Sequence, residues 1–419
     1  MSTENTSNPE RTRRSGPLSH IRVLDLSRVM AGPWCSQILA DLGADVIKVE
    51  RPEVGDDTRA WGPPFLRDSE GRSLASSGYF LCVNRGKRSV TLNLNSPEGQ
   101  DIVRALAARC DVLVENYKVG TLQKFNLGPD ELRKVNPRLI YASITGFGQT
   151  GPRAHQAAYD FMIQAMGGLM SITGERDDRP GGGPQKVGIP IVDLMTGMYA
   201  TVGILAALAR REQTGQGDYI DVAMLDVQAA ILANQAMNFL LSGKPPKRTG
   251  NSHPNIQPQD VFRCSDGYVA LAVGNDGQFA KLCEVLERPE LATDPRFARN
   301  ADRVANREAL TQIITDRFMT DTMHAWDRKL SAVGVPCAPI NSVPQVFEDP
   351  QIVHRGLVRS IPHPAAGSVP QVVSPLKFTE APLEFDVPPP MLGQHTAEVL
   401  EELGIDADAQ RDLERRGIV

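Results

Sequence analysis

The sequence predicts an α/β protein: a doubly wound, mainly parallel sheet in a large domain built from both ends of the chain, with a smaller α+β domain inserted. Three observations carry that prediction. Short β-rich apolar runs alternate with helical patterns through the first half. A break rich in Lys, Pro, Gly and Asn at 243–254 separates that half from a segment of different rhythm. The composition, 41% hydrophobic and 23% charged over 419 residues, is that of a soluble globular protein and excludes a fibrous or disordered chain.

Taken in order, Arg22–Ser27 (RVLDLS) reads as a strand and Pro33–Asp41 as a helix. Asp45–Glu50 (DVIKVE) and Ser89–Leu94 (SVTLNL) are strands again. Ser96-Pro97-Glu98 then supplies an N-cap, a first-turn proline and an acid at a helix start, so a helix follows over Gly99–Arg109. Asp111–Glu115 and Leu139–Thr145 are further strands. Two long apolar helices come next, from about Asp193 to Arg211 and from about Ala223 to Leu241, stopped by Thr214-Gly215 and by Gly243-Lys244-Pro245-Pro246. The first is apolar almost all round, which predicts a buried helix. Beyond 254 lie a strand over Tyr268–Val273 and helices near Gly277–Leu286, Arg303–Phe318 and Met323–Val333. After Gly334 the chain is Pro-rich and irregular to about Pro390, then ends in two short helices. The expected division is a disordered tail over 1–18, a large domain over 19–245, a small α+β domain over 246–335, and a linker with the rest of the large domain over 336–419.

The same sequence excludes several classes of function. Forty-five basic against 50 acidic residues leave a net charge of −5, with no electrostatic footprint for nucleic acid. The six cysteines stand singly, with no C-x-x-C, as in a reduced compartment without disulfides or zinc. The seven histidines are dispersed and show no H-x-x-x-H, so no metal site is expected. Aromatic residues at 5% argue against a surface of stacked rings for sugars or single strands. The longest apolar stretches are interrupted by polar residues and bounded by charges, and the polar first residues lack an apolar core. The expectation is a cytoplasmic protein with no membrane partner.

Gly146-Phe147-Gly148-Gln149-Thr150-Gly151 follows a strand and has the G-x-G-x-x-G spacing of a dinucleotide fingerprint. Pro152 comes directly after, where a helix should open to receive a pyrophosphate, so a glycine-rich turn is the better reading. Neither a P-loop nor a G-x-S-x-G elbow occurs. Asp193 precedes the apolar helix and has two compatible readings. It is an N-cap, or a carboxylate nucleophile kept ionised at a helix start. Spacing alone favours the cap. Arg59, Arg85, Lys87 and Arg88 fall in or beside loops after strands, and are either solvated surface or an anion site. Cys35 lies in an apolar helix and reads as packing.

Taken together, these motifs resemble a family. Val29-Met30-Ala31-Gly32-Pro33, Asp45–Pro52, Asn84-Arg85-Gly86-Lys87-Arg88-Ser89, Val114-Glu115-Asn116-Tyr117, Ser143–Gly148 and Thr214-Gly215-Gln216-Gly217 look like the family III CoA-transferases, the formyl-CoA and carnitine CoA-transferase group. Pro336–Ile340 and Leu392–Thr396 match as well, so the similarity runs from about Leu18 to Val419. Asp56–Phe65 is most similar to the branch that moves CoA between succinyl-CoA and dicarboxylates such as glutarate.

The resemblance implies that Asp193 is the nucleophile, working through an acyl-aspartyl anhydride and an aspartyl-CoA thioester, with backbone N–H groups stabilising the oxyanions. It places coenzyme A against Met30, Ala31, Arg51, Leu92, Asn95, Asn116, Lys124 and Tyr159, with Arg51 and Lys124 suited to its phosphates. It implies an interlocked homodimer whose only other partners are acyl-CoA and small carboxylic acids. Arg59, Arg85 or His253 is expected to hold the distal carboxylate of the acceptor. Met30 stands where the formyl-CoA branch has glutamine, and that branch's glycine-only loop is absent, which disfavours oxalate or formate. The related α-methylacyl-CoA racemases use a histidine in Gly-His-Asp. Here the match is Ala158-Tyr159-Asp160, and a tyrosine with a pKa of about 10 is a poor base. Racemase and non-catalytic acyl-CoA-binding protein are the alternative readings.

Overall fold

The apolar runs of the first half are strands of one sheet. In the computed structural model, which describes residues 15–419, these are β1 (Arg22–Asp25), β2 (Asp45–Glu50), β3 (Lys87–Thr91), β4 (Val112–Glu115), β5 (Ile140–Thr145) and β6 (Tyr219–Ala223). All neighbouring pairs are parallel and the order is β3-β2-β1-β4-β5-β6. The chain winds outward from β1 to β3, then returns to the centre and winds outward again from β4. The carboxyl ends of β1 and β4 therefore part, and this divergence opens a crevice where such sheets take their ligands.

Side chains alternate across the sheet, so each strand feeds two cores. Val23, Val46, Val112, Ile140 and Ala142 pack under α1 (Ala31–Asp41) and the later helix α4 (Ile191–Thr214). Leu24, Ile47, Leu113 and Tyr141 pack under Ile102, Val103 and Leu106 of α2 (Pro97–Ala107). As its sequence predicts, α2 is opened by Ser96, which accepts from Gly99 N–H, with Pro97 as its first residue. After β5 come the short α3 (Asp160–Met166) and the long α4 (Ile191–Thr214).

Four expectations are corrected. The helix read over Ala223–Leu241 is two helices, α5 (Met224–Ala230) and Ala233–Ser242, with Ala233 at a φ of 46° where the helix breaks. Strand β6, directly before that helix, goes unread because Tyr219–Ala223 runs without a break into apolar helix. α4 is not buried all round. Val192, Thr196, Ala200, Ile204 and Leu208 form its buried stripe, while Met198, Tyr199, Val202 and Leu205 are exposed on another face. Its length and apolarity would suffice for a bilayer, but Ala200, Ile204, Ala207 and Leu208 are built into the core on the sheet. Leu18 is packed in that core and its N–H reaches Leu42 C=O at 2.9 Å, so the chain is ordered before residue 19. The rest of the tail expected over 1–18 lies, through residue 14, outside the described residues. Finally, the Pro-rich stretch after Gly334 holds regular structure, including a hairpin of Val358–His363 with Gly367–Val372.

The chain divides into two compact units. The larger takes residues up to Gly168, Gly188–Ala233 and Arg355–Val419, and so is built from both chain ends. The smaller takes Leu169–Val187 and Asn234–His354, more than the expected 246–335. Polar ties explain the added piece: Arg176 pairs with Glu308 at 3.3 Å, and Arg248 donates to Ser171 C=O at 3.1 Å. The smaller unit has an antiparallel sheet of β7 (Gln259–Arg263), β8 (Tyr268–Ala272) and β9 (Cys337–Pro339), with β8 central. Phe262, Phe279, Phe318 and Trp326 fill its core under α6 (Asp276–Val285), α7 (Arg307–Phe318) and α8 (Met323–Ser331). The larger unit closes with α9 (Thr396–Glu402) and α10 (Ala407–Arg415).

Candidate active site

Asp193 is the third residue of α4, and it does not cap the helix. That work falls to Asp160 at the start of α3, whose carboxylate accepts from Val192 N–H at 2.8 Å and Asp193 N–H at 3.3 Å. Its other oxygen accepts from Gln164 Nε2 at 2.6 Å. With the first-turn donors met by Asp160, the Asp193 carboxylate is left free: among the described residues it makes no hydrogen bond. It lines a cavity of about 520 Å³ together with Met30, Ala31, Trp61, Asn116 and Tyr159.

The electrostatics differ from the simple helix-start expectation. Burial, and then the neighbouring Asp160 carboxylate, push the Asp193 carboxyl up to about 7. Loss of water and a like charge thus outweigh the positive end of the helix. Near neutral pH the group is poised between a proton and a charge, as reactive carboxylates often are.

Close backbone approach sets this geometry. A Cβ on Gly197 would lie 2.6 Å from Ala31 C=O, so only glycine lets α4 bring Asp193 against the β1–α1 turn. A Cβ on Gly146 would lie 2.3 Å from Ala158 Cβ, so the glycine after β5 admits the segment bearing Tyr159. The turn at 146–151 opens no helix. Gly148 and Gly151 have positive φ, and Gly148 N–H bonds to Thr145 Oγ1 at 2.9 Å.

The β1–α1 turn is itself held in strain. Val29, a β-branched residue, sits at a φ of 70°, a conformation costing about 1–3 kcal/mol. Its N–H points between both oxygens of Asp56 at 3.3 Å, and Asp56 also accepts from Lys48 Nζ at 2.9 Å. Lys48 and Asp56 are fully buried as side chains, and Lys48 beside it holds the Asp56 carboxyl below the usual range despite burial. Asn116 clamps the turn from β4: its Oδ1 accepts from Arg28 N–H at 2.8 Å and its Nδ2 donates to Arg28 C=O at 2.7 Å. Both polar ends of Asn116 are thus engaged with the backbone, and it shapes the cavity from that position.

The other expected residues separate into groups. Arg51, Leu92 and Asn95 line a second, larger cavity of about 1170 Å³, and Tyr117 lines both. Lys124 is exposed at the end of a short helix, Thr121–Lys124, outside both linings. Arg59 is buried in a two-pronged pair with Glu50, both bonds 2.7 Å, and Arg85 is buried against Asp41 at 2.6 Å. Neither lines the Asp193 cavity, because each guanidinium is consumed by a buried carboxylate. Lys87 and Arg88 are likewise buried, on Asp25 and Asp45, so the basic run is an internal ion-pair ladder. His253 belongs to the smaller unit, where its ring accepts from Asn255 N–H at 3.1 Å. Cys35 is buried, and desolvation pushes its thiol up to about 12, which fits packing. Sequence reasoning missed Asp160 and Tyr117 as parts of the site. Tyr117 stands two residues after strand β4, a usable signal, but nothing in the spacing pairs Asp160 with Asp193.

A Rossmann-order sheet whose switch-point crevice holds a carboxylate with no hydrogen bond among the described residues defines an α/β enzyme with a ligand-binding cleft. The chain belongs to CoA-transferase family III, whose model matches residues 18–396. It is 49% identical over 395 residues to a succinate–glutarate CoA-transferase of Agrobacterium fabrum, covering 93% of this chain and 96% of that one. It is 43% identical over 404 residues to the succinyl-CoA:glutarate CoA-transferase of Mus musculus, covering 96% and 90%. Among solved structures it resembles a CAIB/BAIF family protein from Brucella suis, with a TM-score of 0.83 and 49% identity over 93% of this chain and 100% of that one. The protein is a CoA-transferase, and the racemase and pure binding readings are not favoured.

Proposed function

We propose that the protein transfers coenzyme A from succinyl-CoA to a glutarate-like dicarboxylate, with Asp193 as the nucleophile. The observation supporting this most is the Asp193 carboxylate, without a hydrogen bond among the described residues, in a cavity with Met30, Ala31 and Tyr159. An Asp193 oxygen attacks the thioester carbonyl, the C–S bond breaks, and a succinyl-aspartyl anhydride forms with CoA thiolate. The thiolate then attacks the aspartyl carbonyl, succinate leaves, and an aspartyl-CoA thioester remains. The acceptor carboxylate attacks that thioester and the freed thiolate attacks the acceptor's acyl carbonyl, giving the new acyl-CoA and regenerating Asp193. No proton is consumed and every bond broken is replaced by one of similar energy, so no ATP is needed.

CoA would run from the larger cavity past Tyr117 to Asp193, with Arg51 near its phosphates. Arg59 and Arg85, committed to Glu50 and Asp41, are dropped as holders of the acceptor's distal carboxylate. A homodimer is supported by the exposed apolar faces of α4 (Met198, Tyr199, Val202) and α3 (Phe161, Met162, Met166), which are unusual on a free surface. The test is turnover of succinyl-CoA with a series of dicarboxylic acids of increasing length. Succinate and glutaryl-CoA in equal amounts, with ping-pong kinetics, are expected. Hydrolysis without acceptor, or no preference for glutarate within the series, would overturn the assignment.

A further inference from the structure

Resting on the reading that CoA occupies these cavities, we propose that α10 supplies a binding site for the 3′-phosphate of CoA, with Arg411 as the cation that meets it. The larger cavity is lined by Arg51 after β2 and by Leu92–Asn95 after β3. A further part of the lining is Ala397 and Leu400 of α9 with Gln410 and Arg411 of α10. That part lies beyond residue 396, where the family match ends.

That part of the lining is tied into the fold. Leu400 is buried in the core under the sheet. Asn93 N–H donates to Ile418 C=O at 2.7 Å, and Arg416 pairs with Glu98 at the start of α2. The residues directly after α10 are thus fastened to the loop 92–95 and the start of α2, and that loop lines the same cavity.

The two guanidiniums of the cavity are placed differently. Arg51 pairs with Asp57 at 2.6 Å, and Asp57 lines the Asp193 cavity, so Arg51 stands at the junction of the two spaces. Arg411 lines only the larger cavity and pairs locally with Asp408 on its own helix. Its side chain is 65% exposed, so that pair is weak and easily exchanged for a phosphate. Glu53 and Glu414 share the lining, which makes the cavity as a whole far from basic. A phosphate dianion there needs a placed cation able to bind two oxygens at once, as arginine does. With the thioester at Asp193, the phosphoadenosine end is the part of CoA farthest from the sulfur. In the proposed pose it lies beside Arg411 in the larger cavity.

The test is calorimetric binding of CoA and of dephospho-CoA to the native protein, R411E, R411A and R411K. Native protein should prefer CoA by about tenfold, the scale of one charge-assisted phosphate contact. R411E and R411A should erase that preference while leaving dephospho-CoA affinity unchanged, and R411K should retain most of it. A native protein with no preference, or a preference surviving in R411E, overturns the proposal. Turnover of succinyl-CoA with glutarate is run alongside. Absence of product with the binding preference intact would refute the succinyl-CoA:glutarate assignment and leave the phosphate site standing.

Discussion

Replacing Asp193 by asparagine should stabilise the protein while silencing it, and the stabilisation should depend on pH. The carboxyl of Asp193 is raised from 3.8 to about 7 by burial and by Asp160. An acid with a raised folded pKa favours the fold most when protonated. Its contribution is complete below the unfolded pKa near 4 and is lost as pH rises through about 7. Three pH units correspond to at most about 4 kcal/mol, and solvent reaching the partly exposed carboxylate reduces this to about 1–3 kcal/mol. Asparagine does not titrate. Urea midpoints of D193N and native protein should therefore converge near about pH 4 and separate progressively to about pH 8, with D193N the more stable. In the native enzyme, kcat/KM should rise with pH through about 7, as the nucleophile loses its proton. A stability difference that is flat across this window would refute the claim that Asp193 is held in a desolvated, like-charged site.

Other outcomes follow from the packing around that site. G197A places a Cβ 2.6 Å from Ala31 C=O, which cannot yield as a side chain would. It should cost about 1–3 kcal/mol in denaturant unfolding and lower kcat by displacing Asp193. D56A leaves Lys48 buried without its nearest carboxylate and should cost about 3–5 kcal/mol, whereas K48M/D56L should recover part of that loss. R85A strands Asp41 and should destabilise by a similar amount. In a turnover assay it should leave the ratio of glutarate to other acceptors unchanged, because Arg85 does not line the Asp193 cavity.

The sheet was legible in the sequence because its strands are short apolar runs bounded by turn signals, from RVLDLS to LIYASIT. β6 was not, because YIDVA passes without a break into apolar helix, and periodicity cannot separate the two. Asp193 was legible as a helix-start acid, and the family resemblance gave it a role. Its partner Asp160 was hidden, since the pairing is made by the crossing of α3 and α4 and leaves no trace in spacing. The basic run 85–88 misled for a related reason. A sequence shows arginine and lysine but not the carboxylates of Asp25, Asp41 and Asp45 that bury them. Val29 was equally unreadable, for nothing in a valine announces a positive φ held by Asp56.

The central claim is that Asp193 becomes covalently acylated during turnover. The most direct measurement is mass spectrometry of the protein after brief incubation with succinyl-CoA and quenching with hydroxylamine. A hydroxamate on the peptide containing Asp193 is expected, present with succinyl-CoA and absent with succinate and free CoA. An unmodified Asp193 peptide under conditions that support turnover would contradict it.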